Sequence, residues 1–334
     1  MKKILLFCAG VIIIYAVYGC TGSSNPAAAS YRPPVAAPTA VPGMADWQEL
    51  DVPMDTKGVY GHALLKLGGS IAVIGGKTEN SYLKNVPLTA DFETWSTVNA
   101  NTGFGEREDF AYCTDRDKTY VIGGYYGGDK EEKFFNDTWV SYGALTFTAL
   151  ETGKTAPVSR GLRAVVFKDK PRLSGGYDGK NYSNDVYYFD KEKGWIKEKT
   201  DRESFKPRAS HGFIVFDNKL WVIGGKGEKE KFSDVWNSTN GADWEAVTTS
   251  AMFGERSDFA CFVFGGRMWV MGGQLSDGKA SGDVWWSVNG RAWIQAAKDA
   301  FPARHSAGVI TEGGAVYLFG GIADKIKNDG WWSK

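Results

Sequence analysis

Short apolar runs, each closed by a pair of glycines, recur along most of the chain. They end at Gly75-Gly76 (IAVIGG), Gly123-Gly124 (YVIGG), Gly175-Gly176 (RLSGG), Gly224-Gly225 (WVIGG), Gly272-Gly273 (WVMGG) and Gly320-Gly321 (YLFGG). Successive pairs are 48, 52, 49, 48 and 48 residues apart. Runs of four to six β-branched and aromatic residues between polar turns predict strands, and a fixed period near 48 predicts a stack of identical supersecondary units.

Three further signals keep this phase. An arginine precedes the strands at Arg107, Arg160, Arg208, Arg256 and Arg304, with Val59 in the first unit. An acid opens a third strand at Asp137, Asp185, Asp234, Asp283 and Asp329, with Asn85 in the first unit. A late aromatic follows at Trp95, Phe147, Trp195, Trp244 and Trp293. Each unit thus reads as four short antiparallel strands, with turns such as Asp217-Asn218-Lys219 after the first, and Asn240-Gly241 or Asn289-Gly290 as tight hairpins before the last.

A four-stranded sheet cannot bury both faces alone, so six such units close around an axis as an all-β propeller. The order of Arg, paired Gly, Asp-x-Trp/Tyr and a final Trp resembles the kelch repeat, and that resemblance covers nearly all of 46–334. The sixth unit lacks its own last strand, because its aromatic would fall at 293 + 48 = 341, beyond Lys334. The segment 46–50 supplies it: Trp47 lies 48 residues before Trp95, and Asp46-Trp47-Gln48 copies Asp243-Trp244-Glu245. Such a closure leaves no free sheet edges at the seam.

Ahead of this body, residues 1–19 read as an export signal, with Lys2 and Lys3 followed by a 14-residue apolar run from Ile4 to Val17, too short for a comfortable membrane span. Val17-Tyr18-Gly19-Cys20 resembles a lipobox, which implies a diacylglycerol on Cys20 of a bacterial lipoprotein. Residues 20–45, rich in Ala, Pro and Ser, read as a disordered tether. The expected location is the bacterial cell envelope, the membrane being reached through the lipid. Thr21 after the cysteine favours the outer membrane, by resemblance to enteric sorting.

Composition supports the strand-rich reading, with 42 Gly, 13 Trp, 15 Tyr and 19 Phe. Lys plus Arg equals Asp plus Glu at 39, and removing Lys2 and Lys3 leaves 37 − 39 = −2, which argues against a nucleic-acid partner. Of four cysteines, only Cys113 and Cys261 lie in the body, in equivalent strands of non-adjacent units, so two buried free thiols are expected rather than a disulfide.

By resemblance to kelch propellers, the first strand of each blade lies innermost and Arg107, Arg160, Arg208, Arg256 and Arg304 form a ring at one mouth of the channel. The loops after the second strands share that face, including Tyr125, Tyr126, Phe134 and Phe135, and the run from Lys226 to Ser233. Two readings of the arginines stand side by side: a site for anions or carboxylates, or a structural set, each paired within the repeat.

The segment FGEREDFA from Phe104 to Ala111 recurs as FGERSDFA from Phe253 to Ala260, an offset of 149 residues or three blades. Glu106 and Asp109 would then face Glu255 and Asp258 across the mouth, and His62 and His211 share the same offset. This marks either a two-sided site or an ancestral duplication.

No catalytic residue, metal site or cofactor is assigned: the three histidines form no ligand set, and the constellation of galactose oxidase, a kelch relative, has no counterpart. The reading reached is a lipid-anchored binding protein for a protein or glycan. The alternatives are a small-sugar enzyme of the sialic acid mutarotase kind, using Glu106 or Glu255, and a structural envelope protein without a ligand.

Overall fold

The computed structural model describes residues 44–52, 58–128, 131–199 and 204–334. The signal peptide, Cys20 and all but the last two positions of the tether lie outside the described residues. The described chain is all-β, and six four-stranded antiparallel sheets account for most of its strands.

Blade I comprises Ala63–Leu67, Ser70–Ile74, Val86–Thr89 and Trp95–Val98, and blade II comprises Ala111–Asp115, Lys118–Ile122, Thr138–Tyr142 and Thr148–Ala149. Blade III runs through Arg163–Phe167, Lys170–Ser174, Val186–Asp190 and Gly194–Lys197. Blade IV has Gly212–Phe216, Lys219–Lys226, Lys231–Ser238 and Glu245–Thr248, and blade V has Ala260–Phe264, Arg267–Met271, Val284–Ser287 and Ile294–Ala297. Blade VI takes Gly308–Glu312, Ala315–Phe319 and Gly330–Ser333, and its fourth strand is Gln48–Leu50.

That closure matches the sequence reading. Gln48 pairs with Trp332 and Leu50 with Gly330, antiparallel, while the Trp47 ring sits edge-on to Phe301 at 5.3 Å. The apolar clusters lie between successive blades; Ala63, Leu65 and Ile74 of blade I, for instance, pack with Phe110 and Val121 of blade II.

The repeat consensus is one hydrogen-bonded network. Arg107 donates to the Gly123 carbonyl at 2.9 Å and grips Asp137 with both terminal nitrogens at 2.6 and 2.9 Å, and Asp137 also accepts Trp139 Nε1 at 2.8 Å. Arg208, Asp234 and Trp236 repeat this with Gly224; Arg256, Asp283 and Trp285 with Gly272; Arg304, Asp329 and Trp331 with Gly320. The glycine pair serves as acceptor and hinge: Gly224 and Gly225 have φ of 53° and 105°, and a Cβ on Gly225 would stand 2.6 Å from the His211 Cβ.

Two turn assignments resolve differently. Asp217-Asn218 is a tight hairpin with both φ values positive, as a twisted two-residue turn requires. Asn240-Gly241 and Asn289-Gly290 are not two-residue hairpins. Each sits in a longer loop, from Ser238 to Glu245 and from Ser287 to Ile294, in which the serine Oγ and asparagine Oδ1 accept successive backbone N–H groups.

Candidate site at the channel mouth

The four arginines of the network do not form a ring of available guanidinium groups. Arg107, Arg208, Arg256 and Arg304 are 0–2% exposed, each consumed by the aspartate of its own blade. A buried cation needs such a partner, because desolvation is offset only by paired charge and satisfied hydrogen bonds.

Arg160 is different. The network arginines stand 16 residues before the first glycine of their pair, whereas Arg160 stands 15 before Gly175; Ser159 occupies the structural place. One residue further along, Arg160 bridges Tyr177 at the mouth, its guanidinium 4.4 Å from the Tyr125 ring centroid and within 6 Å of Phe134 and Tyr177.

The same step in every blade builds the mouth. Tyr60, Glu108, Arg160, Ala209, Ser257 and His305 pair with Lys77, Tyr125, Tyr177, Lys226, Gln274 and Ile322 of the second-to-third-strand loops. The following residues, Gly61, Asp109, Gly161, Ser210, Asp258 and Ser306, all have φ between 52° and 65°. Each donates its N–H to the carbonyl of its counterpart in the preceding blade: Asp109 to Gly61, Gly161 to Asp109, Ser210 to Gly161, Asp258 to Ser210, Ser306 to Asp258 and Gly61 to Ser306, at 2.7–3.0 Å. Six backbone hydrogen bonds therefore close a circle around the channel. Left-handed backbone is costly for most residues but tolerated by short polar ones, so the circle favours Gly, Asp and Ser.

Asp109 and Asp258 accordingly face each other from blades II and V, as the duplicated motif predicts. Their environments part them. Burial pushes the Asp109 carboxyl up, and the charge of Asp258 adds to this; Asp109 keeps some accessible surface only because it faces the channel. Burial would raise Asp258 too, but Lys226 Nζ at 3.0 Å, with hydrogen bonds from Ser210 and Ser257, holds it below the ordinary carboxylate range.

The neighbouring Glu108, which the sequence reading passed over, is raised to about 8 by burial and then by Asp109, against the pull of Lys77 and Arg160. Its place at the mouth follows from the Arg107 position, the signal that finds it.

The other motif acids lie elsewhere. Glu106 makes a surface pair with Lys84 at 3.4 Å and Glu255 is exposed, so neither reaches the channel, and the mutarotase-like reading loses the two acids it relied on. His62 and His211 are inter-blade wedges rather than an opposed pair: His62 stacks edge-on to Phe319 and abuts Gly320, His211 abuts Gly175, and Phe110 holds the equivalent place against Gly75. Burial lowers both, His62 to about 3. Among the described residues no group of His, Cys, Asp and Glu is placed to hold a metal. Cys113 is buried and free as expected, whereas Cys261, also free, is half-buried on the channel wall.

The loops over the mouth are ordered by pairing. Tyr125–Gly127 and Glu132–Phe134 form a hairpin, Lys219–Lys226 and Lys231–Ser238 extend past the glycine pair, and single bridges join Lys77 to Tyr82 and Tyr177 to Tyr182. Over blades I to III they make an aromatic shelf. Tyr82 stacks on Tyr126 at 4.9 Å, and tilted ring pairs join Tyr125 to Phe134 at 4.9 Å and Tyr177 to Tyr182 at 4.7 Å. Blades IV and V are polar there, with Lys231 held by Gln274 and the Leu275 carbonyl.

The profile of the KLHDC2/KLHL20/DRC7 Kelch-repeats domain matches residues 61–273. The chain is 26% identical over 232 residues to the leucine-zipper-like transcriptional regulator 1 homolog of Drosophila melanogaster, covering 61% of this chain and 23% of that protein. It is 25% identical over 174 residues to a probable serine/threonine-protein kinase of Dictyostelium discoideum, covering 50% of this chain and 13% of that one. The chain thus spans less than a quarter of the length of either relative. The matched repeats, the network that explains them and the six closed blades together make this chain a member of the Kelch-repeat family.

Proposed function

We propose that this chain is an envelope binding protein: lipid on Cys20 attaches it to a membrane, residues 21–45 give it reach, and the loop face of the propeller takes a protein or glycan partner. The outer membrane is the favoured location. The observation that carries the reading is Arg160. Its guanidinium lies among Tyr125, Phe134 and Tyr177 and, among the described residues, forms no ion pair, unlike the four buried arginines of the repeat. Tyrosine and arginine on an ordered frame dominate binding energy at interfaces, because they bring large contact area and directed donors at small entropic cost. The aromatic shelf suits an extended segment bearing a carboxylate, or the face of a sugar.

The test is crosslinking and capture from intact cells, comparing wild type with Arg160→Glu combined with Tyr126→Ala, after confirming that the variant folds. Loss of a captured partner supports the reading; unchanged capture overturns it. The anchor is tested separately: Cys20→Ser should leave the membrane fraction, and its retention there would refute attachment through that residue.

A further inference from the structure

From the mouth inward the channel holds a cavity of about 290 Å³. Its wall at one level is built from small residues, Ala111, Gly212 and Ala260 among them, and Arg163 is the large exception. Arg163 stands two residues beyond Gly161 of the backbone circle, hence about 6–7 Å deeper along the strand. Its guanidinium donates to the Leu162 carbonyl at 3.2 Å and has no ion pair among the described residues. It lines the cavity wall together with Asp109, Tyr112, His211 and Cys261, residues of three other blades, and acts electrostatically on each of them.

Two buried histidines, of blades I and IV, also border the cavity. The ring of His62, 6% exposed, lies against the Phe319 backbone, within hydrogen-bonding reach of it. His211, 1% exposed, bonds Ser174 through Nε2 at 3.2 Å while its Nδ1 has none. Both rings are sealed between blades, so it is the guanidinium fork of Arg163 that presents charged donors to the cavity, and donors facing a cavity are met by water or a polar ligand.

The geometry points to a small-molecule site inside the channel, in which Arg163 holds the carboxylate of a small organic acid that enters through the mouth. The guanidinium fork matches a planar carboxylate, giving two parallel charged hydrogen bonds. One fixed cation in the cavity wall matches a single negative charge better than a dianion. Hydroxyls on the acid would meet Asp109 and Ser306 at the rim. At roughly 30 Å³ per water, the cavity of about 290 Å³ holds about ten waters, which a sugar-sized acid would displace. This site lies beneath the loop face and does not depend on what docks there.

Calorimetry on the full chain in detergent tests the inference with glucuronate as probe, glucose as its uncharged counterpart and glucose 6-phosphate as the dianion. Glucuronate should bind and glucose should not, and Arg163→Met should weaken glucuronate about ten- to a hundredfold, the usual loss for a charged hydrogen-bonded contact. On the wild type alone, glucuronate but not glucose should protect Arg163 from phenylglyoxal, read by mass spectrometry, which keeps the test open if the variant does not fold. Failure of glucuronate, lactate and acetate alike to bind would overturn the proposal, as would binding indifferent to Arg163, or a preference for the phosphate. Arg163→Met should leave partner capture on the loop face unchanged, so the two readings fail separately.

Discussion

Arg208→Met separates the structural arginines from the available ones. In the folded chain Arg208 is wholly buried and makes four directed contacts: Asp234 at 2.6 and 2.9 Å, the Gly224 carbonyl at 2.8 Å and the Lys206 carbonyl at 2.9 Å. Methionine fills much of the volume but strands the Asp234 carboxylate, which keeps the Trp236 Nε1 donor at 2.8 Å and 17% of its side-chain surface in water.

Removing one partner of a buried ion pair costs about 3–5 kcal/mol. With about 2.1 cal/mol/K of unfolding entropy per residue over the described propeller, that lowers Tm by about 5–8 °C. Differential scanning calorimetry at one fixed scan rate, wild type beside variant, reads the shift and guards against irreversible unfolding. The double variant Arg208→Met/Asp234→Leu should recover part of the loss, since the stranded charge goes with it. Arg160→Met should move stability by no more than about 0.5 kcal/mol. Equal shifts for the Arg160 and Arg208 variants would refute the division into buried network and free guanidinium.

The remaining expectations concern closure, protonation and thiols. Trp47→Ala removes the indole that packs on Phe301 and bonds the Met44 carbonyl at 3.1 Å, and should cost about 2–4 kcal/mol in denaturant unfolding; no measurable change would mean that the seam is not a stabilising contact. Glu108, raised from 4.5 to about 8, keeps a proton in the folded state that the unfolded chain releases near 4.5. The native state binds more protons in that window, so this group lowers stability as pH rises from about 4.5 to 8. Glu108→Gln should flatten that stretch of the stability curve, and an unaltered slope would count against a neutral Glu108. Burial pushes the Cys113 thiol up to about 12 and raises Cys261 as well, so both should resist Ellman's reagent at pH 8 in the native state and react on unfolding; rapid native labelling would contradict this.

How far the sequence is legible follows from which physical demand each residue meets. The fold is readable because one buried network, Arg to Gly-Gly carbonyl to Asp to Trp, must be rebuilt in each blade that uses it, and so leaves a periodic trace. That trace is strict enough that four arginines at a 16-residue spacing are structural, and Arg160 at 15 is not. Reading the five as one set hid the distinction that matters for binding. The same register places Glu108 and Asp109 at the mouth and leaves Glu106 outside, although all three sit within four residues of one motif. Duplication of that motif therefore identified the facing pair Asp109 and Asp258 and misassigned Glu106 and Glu255, because adjacent residues of an inner-strand approach point to different surroundings.

Arg163 left a subtler trace. Within GLRAVVF it reads as an ordinary polar position, and only alignment with Ala63, Ala111, Gly212, Ala260 and Gly308 shows that every other blade keeps this place small. In the other blades this place is closely packed, Ala63 and Ala111 buried in the inter-blade cores and a Cβ on Gly212 or Gly308 meeting Cys261 or His62, so the one blade that departs from it puts a charge where the fold needs none. The cost of keeping an unpaired guanidinium there is the physical reason to look for a carboxylate beside it, and it is also why Arg163→Met should change ligand binding far more than it changes stability.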